Sequence, residues 1–134
     1  MWLQACLNGS RTSTEHAAVP ITPAALADDA RYLLTLTDVP WLRLLLEPWE
    51  SDPEQANRMV DDIEDVLGDA LPQVPRLVHG TDEAVWSLLE RAMRGGHVSR
   101  IGLEDTLLLA TGEIAPDNGA LVRAAKTMIN PRVA

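Results

Sequence analysis

Cysteine is almost missing from this chain. Cys6 is the only one in 134 residues, which excludes an internal disulfide and fits a reducing compartment. Long apolar runs are missing too: none approaches the roughly 20 residues that a membrane-spanning helix needs. The opening Met1-Trp2-Leu3-Gln4-Ala5-Cys6-Leu7 has neither the basic start nor the cleavage pattern of a secretory signal. These absences lead to the expectation of a soluble cytoplasmic protein with no membrane partner. Basic charge is scarce, with 11 Lys and Arg against 20 Asp and Glu and a net charge of −9. Such a surface repels phosphates and anionic lipid, so no nucleic acid partner is expected. The familiar short motifs are absent as well: there is no His-x-His, HExxH, CxxC, P-loop or GxSxG.

What is there is ordinary in bulk, with 46% hydrophobic and 23% charged residues, as in a modest globular domain with one core. Residues 2–8 predict a short buried strand closed by Asn8-Gly9. Pro20-Ile21-Thr22-Pro23 sets up a helix with Thr22 as N-cap and an apolar stripe of Leu26, Ala30, Leu33 and Leu34. Residues 41–48 predict a second strand, stopped by Pro48. Asp52-Pro53 opens a helix in which Ala56, Met59, Val60, Ile63, Val66 and Leu67 recur at helical spacing. The acidic run from Glu47 to Asp69 falls largely on its other face, and the simplest reading is a solvated surface rather than a partner-binding one. Residues 75–80 predict a third strand, followed by a helix with Val85, Leu88, Leu89, Ala92 and Met93, closed by Gly95-Gly96. A fourth strand, Ser99-Arg100-Ile101-Gly102-Leu103, runs into Glu104-Asp105-Thr106. A hairpin over 107–114 with Thr111-Gly112 at its tip leads to a last helix from near Pro116, packing through Leu121, Ala124, Ala125 and Met128.

Strands alternating with helices imply a parallel sheet with helical crossovers, hence an α/β fold. Four such units are half of a (β/α)8 barrel, which typically needs about 250 residues. Half a barrel leaves unpaired sheet edges and an uncovered inner face, which self-association would cover.

Ligands of α/β proteins bind beyond the carboxyl ends of the strands. That rule selects Asn8, Gly9 and Arg11 after the first strand, Glu47 after the second, His79 and Gly80 after the third, and Arg100, Glu104 and Asp105 around the fourth. In strand alternation Arg100, Gly102 and Glu104 share one face, and the glycine leaves room for a ligand to approach the backbone. Glu104 is then a candidate metal ligand and Asp105 a candidate base held by Arg100. The alternative is an arginine–carboxylate ion pair that closes a strand end. His79 is a candidate ligand or proton donor, or else a hydrogen-bonded turn residue, and Glu47 has the same two readings. His16 and His97 read as surface residues, Cys6 as a small buried hydrophobe, and Trp86 as core or interface.

Two blocks resemble the 3-keto-5-aminohexanoate cleavage enzyme family, also called the β-keto acid cleavage enzymes. One is Ala5-Cys6-Leu7-Asn8-Gly9-Ser10-Arg11-Thr12 with Val19-Pro20-Ile21-Thr22-Pro23, similar to the family's opening. The other is Val78-His79-Gly80, Trp86, Arg100-Ile101-Gly102-Leu103-Glu104-Asp105-Thr106 and residues 118–125, similar to its end. The resemblance implies a zinc-dependent (β/α)8 TIM barrel, here partial, with about four β/α units in a single incomplete domain. Residues 1–30 correspond to the N-terminal unit and 41–134 to the C-terminal units. It also implies an acyl exchange in which a β-keto acid and acetyl-CoA give acetoacetate and a new acyl-CoA. By position, Glu104 matches the carboxylate zinc ligand, and Arg100 with Asp105 match the pair whose aspartate is the general base. Asn8, Gly9 and Arg11 match the loop at the substrate site, where some members carry glutamate at the Arg11 position. Glu47 and His79 are placed with the substrate, and a homo-oligomer is expected. The family's other zinc ligands are a His-x-His pair, and no two of His16, His79 and His97 stand at that spacing. The opposite expectation is therefore a non-catalytic, internally deleted remnant that persists as a self-associating module.

Overall fold

The computed structural model describes residues 12–35, 43–67 and 74–129. The expected first strand, residues 2–8, lies outside them, as does the side chain of Leu34. Elements run in the order α1 (Pro23–Thr35), β1 (Leu44–Leu46), α2 (Pro53–Leu67), β2 (Arg76–Val78), α3 (Ala84–Arg94) and α4 (Asn118–Ile129). This is a mixed α/β chain with four helices and a small two-stranded parallel sheet among the described residues. None of its helices there is long and apolar enough to cross a membrane. The chain divides into two compact units, one of Met1–Trp41 with Asp61–Pro72 and the other of Leu42–Val60 with Gln73–Ala134.

In the first unit α1 starts where the sequence places it: the Ala25 amide donates to the Thr22 hydroxyl at 3.2 Å, satisfying one of the free donors of the first turn. Ala27 and Ala30 are buried. Arg31 donates to the backbone carbonyls of Val66 and Leu67, two of the acceptors left open at the end of α2. Ile63 and Leu67 are buried, whereas Asp61, Asp62 and Asp65 face solvent, as the amphipathic pattern requires.

The second unit carries the sheet. β1 and β2 pair in parallel with Leu44, Leu45 and Leu46 opposite Arg76, Leu77 and Val78. On the other side of β2, Val98 forms a parallel bridge with Leu77, donating to the Arg76 carbonyl and accepting from the Val78 amide, both at 2.9 Å. All of residues 76–80 are buried, which explains why their sequence is continuous rather than alternating. α3 buries Ala84, Val85, Leu88, Leu89 and Ala92 and packs on β2, and α4 packs on α3 with Leu121 and Ala125 inward. The start of α2 is tied to α3 by the Asn57 amide on the Ser87 hydroxyl at 2.6 Å and by Arg91 on the Asn57 carbonyl at 3.2 Å.

Three expectations change. The predicted strand over 99–103 is not one: the ladder stops at Val98 and the chain turns at 103–105. The cause is local competition for the backbone. The Ser99 hydroxyl takes the Val78 carbonyl at 2.7 Å, and the Gly102 carbonyl accepts from the amides of Asp105 and Thr106 at 2.9 and 3.1 Å. The last helix begins at Asn118 rather than near Pro116, because the Asp117 carboxylate caps it by accepting from the Ala120 amide at 2.7 Å. The hairpin over 107–114 shrinks to one antiparallel bridge, Leu108 with Ile114, and the Trp86 indole N–H anchors it by donating to the Leu108 carbonyl at 2.9 Å.

Candidate active site

Parallel pairing brings the carboxyl ends of β1, β2 and the Val98 segment to one side, and the residues that follow them meet there. Glu47 comes directly after β1. His79 comes directly after β2, and its amide continues the ladder by donating to the Leu46 carbonyl at 3.2 Å. Gly80 follows, where a Cβ would stand 2.7 Å from the buried Leu88 side chain and would force it to shift. The imidazole of His79 is therefore held on a strand end closely packed against α3. It is 1% exposed, with Nε2 at 3.3 Å from Glu47 Oε2 and Nδ1 at 3.7 Å from Asp105 Oδ1. The first contact is within ion-pair range but off the angle of a hydrogen bond, and the second is too long for one. Both ring nitrogens are thus buried without a hydrogen-bond partner among the described residues.

The turn at Gly102 supplies the rest. In an extended strand Glu104 and Asp105 would point to opposite faces. The turn instead brings both carboxylates to one guanidinium: Arg100 Nη2 lies 2.8 Å from Glu104 Oε1 and 3.0 Å from Asp105 Oδ1. Their environments differ sharply, since the side chain of Asp105 is 4% exposed and that of Glu104 76%. Asp105 spends Oδ1 on Arg100 and takes no hydrogen bond at Oδ2 among the described residues. Oδ2 lies 3.8 Å from where a Cβ of Gly102 would be. A shallow depression lined by Arg100, Gly102, Leu103, Glu104, Asp105 and Asn118 opens there. The arrangement can hold a carboxylate in place beside an accessible cleft, with one oxygen left to take a proton.

Of the residues singled out from sequence, Glu47, His79, Arg100, Glu104 and Asp105 come together in one row of alternating acidic and basic side chains. Asn8, Gly9 and Arg11 lie outside the described residues. Asn118 was not selected, although its Oδ1 accepts from the Leu103 amide at 2.8 Å and props the turn open. The signal for it is an asparagine at the start of a helix, a position that reads as helix entry and conceals a contact back to the loop. Asp82 was missed as well. It adopts a left-handed conformation, φ +50°, and its amide donates to the Asp105 carbonyl at 2.7 Å. His16 is exposed and accepts from the Ala18 amide at 3.2 Å, and His97 packs over Gly95.

The donor set does not suit a catalytic zinc, which usually takes three protein ligands. Glu104 is engaged by Arg100. Glu47 and Asp105 face opposite nitrogens of His79, so the three do not converge on a common point. Among the described residues no group of three or more His, Cys, Asp or Glu side chains is placed to hold a metal ion.

No individually curated protein matches the chain. A family model does, that of the beta-keto acid cleavage enzymes, over residues 50–132, well over half of the sequence. The match takes in α2, β2, α3 and α4 together with His79 and the whole Arg100 to Asp105 turn, and the chain belongs to the beta-keto acid cleavage enzyme family.

Proposed function

We propose that this chain carries the proton-transfer part of a β-keto acid cleavage site, in the exchange that converts a β-keto acid and acetyl-CoA into acetoacetate and a new acyl-CoA. One observation carries the reading. Asp105 is almost wholly buried, fixed through Oδ1 on Arg100 at 3.0 Å, and free at Oδ2 beside the Gly102 cleft. The hydrogens between the keto group and the carboxylate of a β-keto acid are acidic, and a carboxylate held in this way is suited to remove one. Arg100 keeps the base in place and balances its charge. The carbon so activated attacks the acetyl thioester and expels CoA thiolate. The thiolate then attacks the original keto carbon and breaks its bond to that carbon, which is reprotonated, leaving acetoacetate and the new acyl-CoA. No step is assigned to zinc, because the donors do not fit it. In this reading Asn8, Gly9, Arg11 and Glu47 border the substrate, the chain is a partial (β/α)8 barrel forming one incomplete domain, and it works as a cytoplasmic homo-oligomer. The test is acetoacetate formation by the purified full chain from β-keto acids and acetyl-CoA, with and without added zinc. Turnover that falls to background in Asp105→Asn supports the proposal. Equal rates in the two proteins, or none in either, overturn it.

A second reading, a non-catalytic self-associating module, is favoured by Leu45, which is 43% exposed on a sheet of only two described strands. Its signature is a dimer or larger assembly by light scattering, with no zinc in the purified protein. Stoichiometric zinc would sink it.

A further inference from the structure

The least explained group in the molecule is the His79 ring. Leaving a buried polar atom without a partner forfeits its hydration with nothing in return, so such atoms are rare in folded proteins and each calls for a reason. Here both nitrogens of one imidazole are in that state at 1% exposure. The ring cannot escape, because its backbone is locked in the ladder at Leu46 and the next residue, Gly80, is pressed against Leu88. Its two nitrogens face two carboxylates, Glu47 on the Nε2 side and Asp105 on the Nδ1 side.

We propose that His79 is a positioning residue for Asp105: beside the Oδ1 that Arg100 holds, it keeps the carboxylate turned so that Oδ2 meets the Gly102 cleft, while Glu47 steadies the ring at its other nitrogen. The inference rests on Asp105 being the base of the proposed reaction. The contact of 3.7 Å is longer than a hydrogen bond, and catalytic contacts of ligand-free enzymes are commonly long and tighten once substrate is bound. The side chain of Arg100 is 43% exposed and that of His79 1%. The histidine therefore adds a buried neighbour at Oδ1 to the hydrogen bond by which Arg100 holds it.

The first measurement needs no turnover. In the full chain labelled with 15N-histidine, the His79 nitrogens are followed at one pH in wild type, Asp105→Asn and Glu47→Gln, with near-UV circular dichroism to establish that each is folded. The expected result is atom-specific. Asp105→Asn moves the Nδ1 resonance and leaves Nε2, and Glu47→Gln does the reverse. An unmoved Nδ1 resonance in folded Asp105→Asn overturns the proposal whether or not the chain is an enzyme. The second measurement is deuterium uptake from solvent at the carbon between the two carbonyl groups of the β-keto acid. His79→Leu lowers the rate by about 100-fold, the scale expected when a reacting group is misplaced by about an ångström. His79→Gln, whose amide can still meet Oδ1, recovers part of it. Equal rates in wild type and His79→Leu overturn the role of His79, whereas a wild-type chain without turnover, but with the expected nitrogen shifts, overturns only the assignment of the reaction.

Discussion

Residues 76–80 and the turn at 102–105 contribute to the same site in opposite ways. The first is a strand end buried at every position, gripped by β1, Val98 and α3. The second is irregular, with exposed Leu103 inside it and exposed Leu107 just beyond, and held by a few polar contacts: Asn118 to Leu103, Asp82 to Asp105, and Arg100 to its two carboxylates. The strand contributes position, and the turn contributes reactive groups. The difference teaches how a site divides its requirements. Rigidity comes from packing, where one methyl group too many has no room. Reactivity comes from a loop in which side chains and backbone compete for the same acceptors.

The comparison can be broken from either side, and the largest effect lies on the reactive side. Asp105→Asn is expected to lower proton abstraction from a β-keto acid by about 100- to 10,000-fold, the usual contribution of a general base, as followed by deuterium uptake. On the packed side, Leu88→Ala empties a fully buried position between β2 and α3. It should destabilise the fold by about 2–5 kcal/mol in urea denaturation. Gly80→Ala tests the same contact from its other partner: the added methyl would meet Leu88 at 2.7 Å. It is expected to lower stability by about 1–3 kcal/mol, as overpacking does. Asn118→Ala removes the prop under Leu103 and should destabilise by about 0.5–1.5 kcal/mol, with a greater relative loss in activity than in stability. The smallest effect belongs to Glu104→Gln. Its ion pair with Arg100 is largely exposed, so stability should stay within about 0.5 kcal/mol of wild type. A larger change there would mean that the turn is as tightly coupled as the strand.

Legibility in the sequence follows the same division. α2 and α3 were readable because Ala56, Val60, Ile63 and Leu67, then Val85, Leu88, Leu89 and Ala92, recur at helical spacing and are buried as a result. β2 was readable as a short apolar run ending in His79-Gly80. The turn was not, because Arg100, Gly102 and Glu104 satisfy strand alternation equally well. What decides against a strand is a hydroxyl at Ser99 and an amide at Asn118, whose contacts depend on three-dimensional placement. The candidate site residues follow from the rule that ligands gather at strand ends, which selects positions without pairing them. That Glu47 and Asp105 flank one imidazole from opposite sides follows from strand order and register, which no local pattern encodes.

Asp82 gives this organisation a clock. Its side chain is exposed, yet its amide is bonded to the Asp105 carbonyl at 2.7 Å, so for that amide to exchange with solvent this link to the turn has to open. Its hydrogen-exchange rate therefore counts how often Asp105 leaves its station, residue by residue and without any substrate present. Slow exchange at Asp82, beside fast exchange at its exposed neighbour Glu83, marks a carboxylate that waits in place.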